Sequence, residues 1–245
     1  MFSDAFKQPL SLYQVGLKRQ SISHIGVLSF FCQQQEKLST LISQYLHPNE
    51  VKRAAQYTND RRKQSYILGR VASKLSALQY FNSHSPKFIE IKSGIFNQPM
   101  IEYKGFSSPE LSISHTNSVS TAMISPAGHL SGIDLEKVSS SKENAILSQL
   151  TPEETQIVRS STSMTFSERL AMIWVIKEAL SKTLKCGLMT PFKVLETKDL
   201  RFTSNASETI FRNFSQYKGY SWFIKPYAFG MVVPKNTEIN IQKIM

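Results

Sequence analysis

"TFSERLAMIWVIKEALSKTLKCG" (Thr165–Gly187) decides how the second half of this chain folds. Thr165 and Glu168 form a capping box, in which a hydroxyl and a carboxylate satisfy the free N–H groups of a helix start. Leu170, Ile173, Trp174, Leu180 and Leu184 recur at helical spacing, and Gly187 is placed to end the run. Glu178 and Lys182 lie at the margin of that apolar stripe, one turn apart. Upstream, Thr151-Pro152-Glu153-Glu154 opens another helix with a cap, a proline in the first turn and a capping-box glutamate. Downstream come the strand-like pieces "FKVLET", "ETIFRNF", "YSWFIKPY" and "FGMVVP".

The first half has the same rhythm. Gln34 to Tyr45 has helical spacing and stops at His47-Pro48. A longer helix capped by Asn59 or Asp60 runs to about Tyr80, with Ile67, Leu68, Val71, Leu75 and Leu78 on its apolar face. "KFIEI", "PMIEY", "LSISH", "VSTAMIS" and "LSGIDLE" then read as strands. The expectation is an α+β protein of two similar halves, residues 1–128 and 129–245, each a long helix packed on a mainly antiparallel sheet. "ASKLSAL" (Ala72–Leu78) faintly echoes "ALSKTL" (Ala179–Leu184), as a duplication would leave it.

The 245 residues are 41% hydrophobic, enough for a substantial core and too apolar for a disordered chain. No apolar run has the length of a membrane span, and the N-terminus lacks a secretory leader. Two cysteines, Cys32 and Cys186, make no disulfide framework and suit a reducing cytoplasm. A net charge of +11 favours anionic partners without choosing among them, since no long basic tract marks a nucleic-acid tail.

In "SGIDLEK" (Ser131–Lys137), Asp134 and Glu136 are two apart, so on a strand they project from one face. Paired carboxylates repel unless a cation lies between them, and oxygen-only ligands suit magnesium. Alone, such a pair is more often a solvated strand edge, and Glu178 with Lys182 more often an exposed helix pair contributing a few tenths of a kcal/mol.

Together, "GIDLE" followed by "WVIKEALSK" resembles the paired signature of the 4'-phosphopantetheinyl transferases, in particular their larger, surfactin-synthetase-activating type. "LSISHT" is similar to the family's Ser-His segment, "NQP" stands where a Gly-Lys-Pro element is usual, and "YILGRVASK" resembles its helix ending in Gly-Arg. The resemblance covers roughly residues 48–187, in the family's order. It implies two α+β halves related by a pseudo-twofold, with the site at their interface.

That resemblance implies transfer of the phosphopantetheine arm of coenzyme A to a serine of an acyl or peptidyl carrier protein, releasing 3',5'-ADP. Asp134, Glu136 and Glu178 would hold magnesium, with manganese as an alternative. Glu178 would accept the serine proton and Lys182 would stabilise the departing phosphate. Ser114 and His115 would meet the coenzyme, His115 at its 3'-phosphate, together with Arg53, Gln98, Pro99 and Lys182. Gln98 replaces the usual lysine, and Glu50 stands where relatives often carry a base. Lys177 belongs to the motif but by spacing reads as a brace for the helix, and Glu154 is explained by its cap. The implied protein is a cytoplasmic monomer with no nucleic-acid or membrane partner. A magnesium-dependent nuclease and a catalytically silent carrier-binding homologue are the rival readings; the helical setting of Glu178 and Lys182 disfavours the first and the full acidic set the second.

Overall fold

In a computed structural model the chain divides into two units, one of Ser3–Leu130 with Thr237–Met245, the other of Phe2 with Ser131–Asn236. Residues 2, 4–34, 36–103 and 108–245 are described.

The first unit opens with a hairpin absent from the sequence expectation, β1 (Leu10–Arg19) against β2 (Ile22–Cys32). Tyr13, Val15 and Leu17 alternate inward along β1, and Gln20 turns the chain in the left-handed region. Three helices follow: α1 (Leu38–Tyr45), α2 (Pro48–Ala55) and α3 (Asp60–Phe81). The side chain of Asn59 accepts the Arg62 N–H at 3.0 Å to cap α3, and Asn82 ends it at φ 50°. Then come β3 (Glu90–Ser93), β4 (Pro99–Glu102), β5 (Glu110–Thr116) and β6 (Val119–Ser125). Ile67, Leu68, Val71, Ala72 and Leu75 of α3 share a core with Ile91, Ile101, Leu111, Ala122 and Ile124. Small residues let α3 lie close to the sheet, and their hydroxyls are satisfied there. Ser29 Oγ donates to the Ala72 carbonyl at 2.9 Å, and Ser120 Oγ to the Leu68 carbonyl at 2.9 Å.

The second unit repeats the order of helices and strands. An edge strand, β7 (Gly132–Lys137), is followed by α4 (Glu143–Leu147), α5 (Pro152–Ser160) and α6 (Phe166–Thr183). Both expected capping boxes form, Thr151 with Glu154 and Thr165 with Glu168. Four strands complete the sheet: β8 (Thr197–Phe202), β9 (Ala206–Phe211), β10 (Tyr217–Ile224) and β11 (Tyr227–Pro234). All pairings are antiparallel, in the order β7-β11-β10-β9-β8. α6 stops at Thr183, short of the expected Gly187. Lys185 takes the left-handed position at φ 58°, and the Cys186 N–H reaches back to the Ser181 carbonyl at 3.1 Å.

The last strand, β12 (Thr237–Lys243), belongs with the first unit, where it pairs with β1. That unit's large sheet runs β12-β1-β2-β6-β5. The expected α+β class and the two similar halves, each with a long helix on an antiparallel sheet, are what the chain forms. Among the described residues no helix is long and apolar enough to cross a membrane.

Candidate active site

The second unit's acidic site begins with a glycine. A Cβ on Gly132 would stand 2.1 Å from the Ala179 carbonyl oxygen and 2.4 Å from Thr183 Oγ1, so only glycine lets β7 pass this close to α6. Gly230, opposite Asp134 on β11, plays the same part, its virtual Cβ lying 2.6 Å from the Val175 carbonyl oxygen. With β7 pressed on α6, the residues two and four beyond Gly132 share its face of the strand. They are Asp134 and Glu136.

Asp134 is buried, and its Oδ1 accepts a hydrogen bond from Lys182 Nζ at 2.7 Å. Glu136 is half-buried, and its Oε1 accepts from Lys142 Nζ at 2.7 Å and from the Lys137 N–H at 2.8 Å. Glu178, half-buried on α6, has its carboxyl pKa pushed up to about 7. Burial is the largest cause, the Asp134 charge adds to it, Lys182 opposes it, and Glu136 adds a smaller push. Asp134, Glu178 and Lys182 are thus brought into one electrostatic unit, with Glu136 at its edge. Lys142, one turn past β7, is a member that sequence reasoning missed; only the fold brings it to Glu136.

Among the described residues no three His, Cys, Asp or Glu side chains stand close enough to hold a metal ion. Lys182 pairs with Asp134 and Lys142 with Glu136. The donor chemistry nonetheless fits a hard divalent cation. Three carboxylates offer oxygen ligands only, and the charges of Asp134 and Glu136, which add to burial in raising Glu178, are what such a cation relieves.

Lys177 points elsewhere. Fully buried, it donates to both oxygens of Glu154, at 2.9 and 2.7 Å, so the brace read from the spacing is an ion pair. Glu154 is fully buried as well, which its capping role alone did not foretell.

The other site residues expected from the resemblance lie in the first unit. Ser114 is buried and His115 exposed at the end of β5. His115 lies near Gly69, whose virtual Cβ would be 4.0 Å from its ring. Arg53, exposed on α2, donates to Gln56 Oε1 at 3.1 Å and lies over Tyr57. Gln98 folds onto its own turn: Oε1 accepts the Phe96 N–H at 2.9 Å, and the side chain fills the space over Gly94. It fastens the β3–β4 hairpin, which Pro99 re-enters opposite Ser93. Glu50, the other departure from the family pattern, is the capping-box residue of α2.

Residues 131–232 match the family model described as the 4'-phosphopantetheinyl transferase superfamily. No curated protein matches the sequence. Among solved structures, a holo-(acyl-carrier-protein) synthase from Bacillus anthracis, in complex with CoA (3',5'-ADP), is 17% identical with a TM-score of 0.37, over 47% of this chain and 96% of that one. A holo-ACP-synthase from Plasmodium yoelii is 18% identical with a TM-score of 0.32, over 49% of this chain and 97% of that one. Residues 131–232, which carry Asp134, Glu136, Glu178 and Lys182, are thus similar to the 4'-phosphopantetheinyl transferase superfamily.

Proposed function

We propose that this protein transfers the 4'-phosphopantetheine group of coenzyme A to a serine of an apo acyl or peptidyl carrier protein, giving holo carrier and 3',5'-ADP. The observation that carries this is the coupled set of Asp134, Glu178 and Lys182 on β7 and α6, within the segment that matches the family. Asp134, Glu136 and Glu178 are the residues that would hold magnesium or manganese. Bound there, the ion would neutralise the coenzyme's diphosphate and align it for attack.

The chain's own groups account for the proton and the charge. The serine oxygen forms a bond to the phosphorus that carries pantetheine, and the bond from that phosphorus to the 5'-phosphate of 3',5'-ADP breaks. Glu178 takes the serine proton, directly or through a water. The Lys182 ammonium stabilises the charge that develops on the departing phosphate. An open cleft of about 570 Å³ beside Glu136, walled by Ile146, Trp174 and Phe192, gives the uncharged pantetheine arm an apolar surface. Ser114, His115, Arg53 and Pro99 are read as coenzyme contacts. Gln98 acts through the hairpin it fastens. A net charge of +11 suits an acidic carrier surface, and free Cys32 and Cys186 suit a reducing cytoplasm.

The test is intact-mass analysis of apo carriers incubated with the protein, coenzyme A and magnesium. A phosphopantetheine adduct, absent with Asp134→Ala, is the expected result. No adduct on carriers from peptide, polyketide and fatty-acid synthases, together with nicking of plasmid DNA, would replace the transferase with a nuclease.

A further inference from the structure

Each unit contains a buried Glu–Lys pair built from the same three pieces, with Arg70 Nε a further cation 3.9 Å from Glu50 in the first. In the second, the Glu154 carboxylate accepts hydrogen bonds from Lys177 Nζ, the Thr151 N–H at 2.9 Å, the Thr197 N–H at 2.8 Å and Thr197 Oγ1 at 3.0 Å. One side chain thus ties the start of α5, the start of β8 and the middle of α6. In the first, Glu50 accepts from Lys74 Nζ at 3.0 Å, the His47 N–H at 2.9 Å and the Ile91 N–H at 2.8 Å, tying α2, α3 and β3. Lys74 also donates to the carbonyls of Pro86 and Ile89. Glu50 and Glu154 are both capping-box residues after a first-turn proline. Lys74 and Lys177 are fully buried, and burial pushes both ammonium groups down while the partner carboxylate resists.

The two clamps differ in the residue after the lysine. Leu75 succeeds Lys74 and packs in the core, whereas Glu178 succeeds Lys177 on the stretch of α6 that β7 crosses, where Gly132 packs on Ala179 and Thr183 and Lys182 bonds Asp134. From this we infer that the Glu154–Lys177–Thr197 clamp is a positioning device for catalysis, fixing the rotation and height of α6 so that Glu178 meets the acidic face of β7. Its first-unit counterpart serves the fold alone. The inference rests on the transferase reading. Glu154 is a positioning residue and takes no proton itself, since donors already occupy both its oxygens. A side chain bonded at its tip to two other elements cannot slide, and reactive groups tolerate misplacement of only about half an ångström.

Lys177→Met and Lys74→Met remove corresponding charges with little change of shape, so the first unit provides the control. Carrier loading by wild type and both variants is measured per folded molecule, with folding followed by circular dichroism. Lys177→Met is expected to lower kcat at least tenfold with KM for coenzyme A within twofold. Lys74→Met is expected to lower thermal stability and leave kcat within twofold. Equal kcat in the two variants would overturn the inference. If Lys177→Met does not fold, Glu154→Gln replaces it, because the single glutamine oxygen still accepts one of the two N–H groups, that of Thr197 or that of Thr151; kcat unchanged in Glu154→Gln overturns the inference equally. An inactive wild type would instead sink the transferase reading. Hydrogen exchange then decides the clamp by itself, with amides of residues 174–182 expected to lose protection in Lys177→Met or Glu154→Gln and not in Lys74→Met. Unchanged exchange there counts against it.

Discussion

Replacing Glu178 by glutamine should stabilise the metal-free protein, and only above a certain pH. The carboxyl holds its proton to about pH 7 in the folded chain against a usual 4.5. At about 1.4 kcal/mol per pH unit, ionising it in place costs about 3 kcal/mol. Below pH 4.5 the group is protonated in both folded and unfolded states and costs nothing. Between 4.5 and 7 the unfolded chain ionises while the folded chain keeps its proton, so stability falls as pH rises. Above 7 the cost is complete. Glu178→Gln mimics the protonated acid and escapes that cost, so its gain over wild type should be near zero at pH 4.5 and reach roughly 3 kcal/mol at pH 8, discounted for partial solvent access. Denaturant unfolding in EDTA at both pH values reads the difference. Magnesium should then stabilise wild type at pH 8 more than the variant, because only wild type regains charge neutralisation. A gain of equal size at both pH values, or a variant less stable at pH 8, would refute the reasoning.

Two further outcomes follow from the same geometry. Gly132→Ala should destabilise the second unit by about 1–3 kcal/mol, since its new methyl meets the α6 backbone, and should reduce transfer by displacing Asp134; unfolding and carrier loading measured together check both. Lys182→Ala should lose transfer yet tighten magnesium binding, because it removes the ammonium that occupies Asp134; weaker magnesium binding by calorimetry would contradict this.

Local signals were legible wherever local physics governs. The capping boxes at Thr151 and Thr165, the Asn59 cap and the long helices follow from side chains bonding to nearby backbone, and they form as expected. The other strand runs also formed, but "FKVLET" is mainly a 3-10 turn (Phe192–Leu195) with only Thr197 in β8, and "KFIEI" enters β3 only at Glu90. The β1–β2 hairpin was missed although Tyr13, Val15 and Leu17 alternate, and β12 was missed because its partner lies at the other end of the chain. The acidic face of β7 could be read from spacing, but its pairing with Lys142 and Lys182 could not. Sequence spacing placed Lys182 beside Glu178; tertiary packing delivers its ammonium to Asp134. Gln98 looked like a missing phosphate charge, and its side chain instead closes its own turn. Glu154 and Lys177 were each explicable locally, as cap and brace, and only the folded chain unites them.

The most direct measurement is manganese binding followed by electron paramagnetic resonance in the presence of coenzyme A. Three acids contributed by one strand and one helix predict a single tightly held ion per chain in wild type, released when Asp134 becomes alanine. A wild type that leaves the ion free in solution, or an alanine variant that grips it as firmly, would contradict the account.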